Sequence, residues 1–296
     1  MAWEYEGLFD SIRGTDLAEA EDDGMLAAFW RKEDTAIRVG SMGYRTRTTK
    51  AGERLEAEVY PVFGKEKIGR LRAEKKNRTP ERVQRQNVER AKRRLVLLME
   101  ANFSVWEDYA LTLTYAGAQP DYAGCKKDVR NFLRKLARAR ERQGLSELKY
   151  IYAIGHDKDQ RIHAHVIVNG GISEKEMIRM WGHGTANPYL LQSFGKGLQG
   201  MANYLYRQNE REKALGERAN MKSWIPSRNL KKPLERVSDT KMSKARIRRI
   251  AYDFRNEAKE ILEKTYPGYS YEGCTVYYSD VVDGVYIRCV MRKVRP

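Results

Sequence analysis

A chain of 296 residues with 41% apolar content is long enough for one large domain with appendages around a real core. Three cysteines, odd in number and without a CxxC pair, argue against a disulfide framework, and no apolar leader or long apolar run stands at the start; the expectation is a cytoplasmic protein without secretion signal or membrane span. The net charge of +16 is concentrated, with 22 basic against 11 acidic residues over 61–150 and 13 against 5 over 208–250, whereas residues 1–60 are acidic; such clusters either bind phosphate backbones or form a solvated face.

The acidic start offers no motif. In YRTRTTKAGERLEAEVYPVF, Leu55, Ala57, Val59 and Pro61 alternate with Glu56, Glu58 and Tyr60, which predicts a half-exposed strand after an AGE turn. Thr79 and Pro80 open a basic helix over about 80–100. Residues 108–115 alternate as a strand. Residues 123–143 place Val129, Phe132, Leu133 and Leu136 on one helical side and Lys127, Arg130, Arg134 and Arg138 on the other, ending at Gly144. Residues 148–155 read as a strand and 162–169 as its hairpin partner. Ser173 and Glu176 form a capping box for a short helix to Trp181. A fourth strand is expected at 188–194 and a helix at 197–208. Beyond these, a helix over 241–265, a turn region TYPGYSYEG and a hairpin through CTVYYSDVVDGVYIRCVMRK complete the chain.

This order, β-α-β-β-α-β-α, predicts an α+β fold with a ferredoxin-like (split βαβ) antiparallel sheet, helices on one face and the other face open, with helical and β-hairpin additions at both ends. The expected divisions are an acidic segment at 1–60, a basic helical segment at 61–101, a core at 102–225 and an extension at 226–296.

RIHAHVIVNG, residues 161–170, carries two of the chain's four histidines. On a strand His163 and His165 project from one face, with Ala164 and Val166 on the other. Two imidazoles in one pleat can bind a divalent ion, with His156 on the neighbouring strand as the third donor; the bland alternative is a pair of satisfied, half-buried histidines. An ion with open positions would polarise a phosphodiester. His183, in a Gly-rich loop, is read as unrelated, and a histidine-triad hydrolase fits poorly because only two of the alternating positions are histidine. In GLQGMANYLYRQ the apolar stripe Leu198, Met201, Ala202 and Leu205 is flanked on opposite sides by Tyr204 and Tyr206, so only one phenol can face the ion; packing explains both equally well on spacing alone. Arg207 lies on Tyr204's side, where it would lower the phenol's pKa or hold a phosphate.

TLTY at 112–115, RIHAHVIVNG at 161–170 and ANYLYRQ at 202–208 together resemble the three motifs of HUH endonucleases, and the chain from about residue 40 resembles the rolling-circle replication initiators of phages and mobile elements of Gram-positive bacteria. The resemblance implies a metal-dependent nickase that forms a 5′-phosphotyrosine link and leaves a 3′-OH primer. It makes His163 and His165 metal ligands, Tyr204 the nucleophile, and magnesium or manganese the divalent ion. Ala164 replaces the usual bulky middle residue. Gly155-His156 stands where the family often has an acidic residue, so the third ligand is His156 or, second, Asp157. Partners implied are single-stranded or hairpin origin DNA and a host helicase and polymerase, the chain having no GKS/T phosphate loop of its own. DNA contacts are expected from the 80–100 helix, from Lys127, Arg130, Arg134 and Arg138, and from the 222–249 region with Arg228, Lys231 and Lys232. The alternatives are a non-catalytic DNA-binding or copy-control protein and a single-tyrosine transposase or relaxase.

Overall fold

In a computed structural model of the protein, the residues described are 43–62, 80–156, 161–193, 197–207, 223–253, 256–278 and 285–294. The chain divides into two compact units, one combining the chain up to Arg93 with the chain from Pro233, the other running from Arg94 to Lys232. Helix α1 (Pro80–Asn102) carries the chain across that boundary.

The second unit contains β3 (Tyr109–Leu113), α2 (Tyr122–Arg142), β4 (Tyr150–His156), β5 (Ile162–Val168), α3 (Glu174–Trp181), β6 (Ala186–Leu190), α4 (Gln199–Arg207) and the short β7 (Ile225–Pro226). Its sheet has the order β6-β3-β5-β4-β7 with antiparallel pairs throughout. Because α2 crosses from β3 to β4 while β5 enters between them, this is the split βαβ arrangement expected from the element order. Two helix starts follow local chemistry: the Asp121 carboxylate accepts the Gly124 N–H at 2.7 Å, and Ser173 and Glu176 cap each other reciprocally.

Strand alternation sorts the side chains. Leu111, Leu113, Tyr152, Ile154, Ile162, Ala164 and Val166 face α2 and α3, where Val129, Phe132, Leu136, Met177 and Trp181 complete a core. Thr112, Ala153, His163 and His165 lie on the other face. That face is not open as the element order suggested. Ala110, Ile151, Ala153 and Ile167 are buried there too, α4 packs against β4, and every residue of β5 is buried.

The first unit is a sheet of order β8-β1-β2-β10-β9, formed by β1 (Gly43–Ala51), β2 (Arg54–Val62), β8 (Leu234–Ser238), β9 (Tyr269–Tyr278) and β10 (Val285–Lys293). The β1–β2 turn is Gly52-Glu53, and Gly52 adopts φ 56°, which glycine tolerates without strain. Leu55, Ala57 and Val59 pack on α5 (Lys244–Tyr252) and α6 (Glu257–Thr265) through Ile247, Ile250 and Leu262. The single helix expected over 241–265 is therefore two, broken where Asp253 ends α5 and its carboxylate accepts the Asn256 N–H. The turn region expected at TYPGYSYEG is shorter, since β9 already begins at Tyr269.

The strand expected to be half-exposed is buried on both sides. Glu56 and Glu58 lie inside, with Arg54, Arg93 and Arg288 on Glu56 and Arg93 on Glu58 at 2.6 Å. Burial alone would raise the Glu56 carboxyl, but Arg288, Arg93 and Arg54 outweigh it and hold it well below the usual carboxylate range.

Candidate active site

β5 presents His163 and His165 side by side, their ring centroids 4.8 Å apart, and both are largely buried. Each Nδ1 has a partner on the sheet. His163 Nδ1 meets the Arg161 carbonyl oxygen at 3.3 Å, and since a carbonyl only accepts, the hydrogen sits on Nδ1 and the Nε2 lone pair is bare. His165 Nδ1 lies 3.1 Å from Thr112 Oγ1, its cross-strand neighbour on β3. With the hydrogen likewise on Nδ1, both imidazoles turn an unprotonated Nε2 to the same side, the orientation in which outer partners hold metal-binding histidines.

Tyr204 comes down on this pair from α4. Its hydroxyl is 3.2 Å from His165 Nε2, and the two rings meet edge to face at 4.9 Å. Tyr206, two residues on, is buried with Met201, Ala202 and Leu205. A spacing of 200° on the helix separates them, so one phenol serves the core and the other the histidines. The start of α4 is tied down by Glu100, whose buried carboxylate accepts the Leu198 N–H at 3.0 Å. A carboxylate inside the apolar run LVLLMEANF is the one sequence signal that pointed to such a buried partner. Thr112, by contrast, carried no sign of its contact with His165 beyond its place in TLTY.

Burial, and secondly the neighbouring His163, lower the His165 imidazole to about 3, so it is neutral at ordinary pH. Burial raises the Tyr204 phenol above its ordinary value. Even at a phenol pKa of about 10, proton transfer to such an imidazole spans about seven pK units, or about 10 kcal/mol uphill. His165 is therefore a ligand or hydrogen-bond acceptor rather than the base that activates Tyr204.

Other predicted residues lie elsewhere. His156 pairs across the hairpin with Ile162, whereas His163 faces Gly155 and His165 faces Ala153. Register thus turns His156 to the face of Ile162 and Ala164, away from the pair, because cross-strand partners share a face. Asp157, the other third-ligand candidate, lies outside the described residues. Among those that are described, no three His, Cys, Asp or Glu side chains stand together as a metal cage. What the chain does offer is two neutral imidazoles with converging Nε2 atoms, a donor set that fits an ion whose remaining positions are left to water and substrate oxygens. His183 packs on Trp181 and Tyr115, on the helix-covered side.

Arg207 is exposed in the last turn of α4, three residues after Tyr204. Lys127, Arg130, Arg134 and Arg138 are exposed on α2, which packs on the face opposite the histidines, so they do not line the Tyr204 site. Arg228, Lys231 and Lys232 are exposed on a segment anchored to the β4 edge, with Ser227 N–H on the Tyr150 carbonyl at 2.8 Å and Lys231 N–H on Asn102 Oδ1 at 2.7 Å. In α1, Arg93 is engaged by Glu56 and Glu58 and is not available to a phosphate.

Residues 108–209 match a family model described as replication-associated protein of the ORF2 type. The match spans about a third of the chain and contains β3, the histidine pair and Tyr204. It supports a role as a replication initiator, and with it an encounter with DNA. No curated protein and no solved structure matches the chain. Among the described residues no helix is long and apolar enough to cross a membrane.

Proposed function

We propose that the protein is an HUH-type initiator of rolling-circle replication that nicks one DNA strand with Tyr204. The observation that carries this reading is the Tyr204 hydroxyl 3.2 Å from His165 Nε2, above a buried pair of neutral imidazoles. Support comes also from the match of this region to a replication-associated family and from the chain's net charge of +16.

His163 and His165 would hold a divalent ion, magnesium or manganese, through their Nε2 atoms. When bound, that ion supplies Lewis-acid polarisation of the scissile phosphate. Tyr204 Oη attacks phosphorus, the Oη–P bond forms, and the bond from phosphorus to the 3′ oxygen breaks. The phenolic hydrogen leaves Tyr204 and the departing oxygen ends as a 3′-OH, so the exchange of esters balances without added water. The 5′ end stays on Tyr204 and the 3′-OH primes synthesis, which requires a helicase and polymerase from the host. Arg207 is placed to hold a non-bridging phosphate oxygen, and the fork of its guanidinium suits that task.

The test is a covalent-adduct assay with labelled single-stranded and hairpin origin oligonucleotides in the presence of magnesium or manganese. Tyr204→Phe should give no adduct, and Tyr206→Phe should still give one. An adduct that persists in Tyr204→Phe overturns the assignment.

A further inference from the structure

Four large apolar side chains are exposed among the described residues of the second unit: Trp106, Ile178, Tyr189 and Tyr204. Ile178 belongs to α3, on the helix-covered side. The other three are aromatic and connect along one strand.

β6 is the edge strand beyond β3. Its register pairs Asn187 with Thr112, which itself pairs with His165, and Tyr189 with Ala110. Asn187 and Tyr189 therefore lie on the histidine face, in the row of His165 and the next row. Tyr189 is close enough to Tyr204 for its phenol to feel charge on the other. One step further along β6, the backbone N–H of Trp106 donates to the Leu191 carbonyl at 2.8 Å.

Trp106 is also the single non-glycine residue with positive φ among those described, at 66°. A bulky side chain held in that region costs about 1–3 kcal/mol. With 60% of its surface exposed, the indole recovers little of this by burial. A strained backbone that presents an indole to solvent, at the end of a strand leading to the phenol, points to a ligand with flat apolar faces.

We propose that Tyr189, with Trp106 beyond it, forms a stacking strip for the unpaired bases of the DNA strand next to the phosphate attacked by Tyr204. The inference rests on the nickase reading for the identity of its ligand. Every base has a π-face, so such a strip holds single-stranded DNA with little demand on sequence, while a duplex keeps its bases inside the stack.

The experiment measures binding without chemistry. A labelled single-stranded oligonucleotide of mixed sequence and its duplex are titrated by fluorescence anisotropy in chelator, with full-length protein. Tyr189→Ala and Trp106→Ala should each weaken single-strand binding by about 5-fold to 150-fold and leave duplex binding unchanged. Tyr189→Phe and Trp106→Phe, which keep an aromatic ring, should bind like the parent and serve as the folded controls. Quenching of tryptophan fluorescence by the single strand should shrink in Trp106→Phe.

Alanine variants that bind the single strand as tightly as the parent overturn the strip. So does an equal loss on single strand and duplex, or an equal loss in the Phe variants. Adduct formation, measured separately with metal present, keeps the two readings apart. A parent that forms the Tyr204 adduct while the alanine variants bind normally sinks the strip alone. A parent without adduct whose alanine variants lose single-strand binding keeps the strip and sinks the nickase.

Discussion

His165 owes its state to burial, and its position two residues from His163 makes that state useful. Its folded pKa of about 3 lies below the ordinary 6.5, so an unfolded chain takes up a proton that the folded one refuses. Stability should therefore be full above pH 6.5 and fall by up to about 1.4 kcal/mol per pH unit as pH drops toward 3. Chemical denaturation in chelator at a series of pH values checks this: the difference between parent and His165→Gln should change over that window, and a constant difference would contradict the burial argument. The same register separates the histidines by role. Titration calorimetry with manganese should lose its saturable heat in His163→Ala and in His165→Ala but keep it in His156→Ala, whose side chain the pairing with Ile162 turns to the other face. Loss of binding in His156→Ala would require the end of β4 to be twisted out of that register.

At the scale of elements, the pair is only as precise as β5, and β5 is held at its end by a buried arginine. Arg140 of α2 donates to the carbonyls of Ser146, Asn169 and Gly170, while Asp108 accepts the Gly170 N–H at 2.7 Å. Burial lowers the Arg140 guanidinium and the Asp108 charge works against it, yet it remains a cation at any working pH. Gly170 is required by close approach: a Cβ there would meet the Glu107 carbonyl oxygen at 2.1 Å. Arg140→Met should cost about 3 kcal/mol by leaving buried carbonyls without donors, measured as a lower denaturation midpoint with unchanged slope. A loss under about 1 kcal/mol would mean that water takes over those carbonyls.

For the whole molecule, the chain's two ends build one sheet. β2 pairs on one side with β1 and on the other with β10, more than two hundred residues away in sequence, and Arg288 of β10 meets Glu56 there. A chain ending at Lys232 loses β8, β9, β10, α5 and α6, and leaves β1–β2 as a lone hairpin with Glu56 stripped of one partner. An isolated hairpin is marginal in water, and an uncompensated buried charge is costlier still. Amides of residues 43–62 should then lose hydrogen-exchange protection while those of β3, β4 and β5, which have a core of their own, keep theirs. Protection that survives at 43–62 would show that the first hairpin does not depend on the distant one.

Local periodicity by itself determined the order β-α-β-β-α-β-α, the same-face placement of His163 and His165, and the opposed placement of Tyr204 and Tyr206, because these follow from repeats of two and 3.6 residues within single elements. The break between α5 and α6 escaped the same reasoning, since an apolar spacing that continues across a short cap reads as one helix. Only the tertiary structure decided what depends on partners far apart in the chain. Cross-strand register turned His156 away and set Thr112 against His165. Pairing between the chain's ends buried Glu56 and Glu58 where alternation suggested solvent. The packing of α2 against the sheet put Lys127, Arg130, Arg134 and Arg138 on the side opposite Tyr204. A sequence records which face of its own element a residue occupies, whereas which layer that face meets is settled only when the layers assemble.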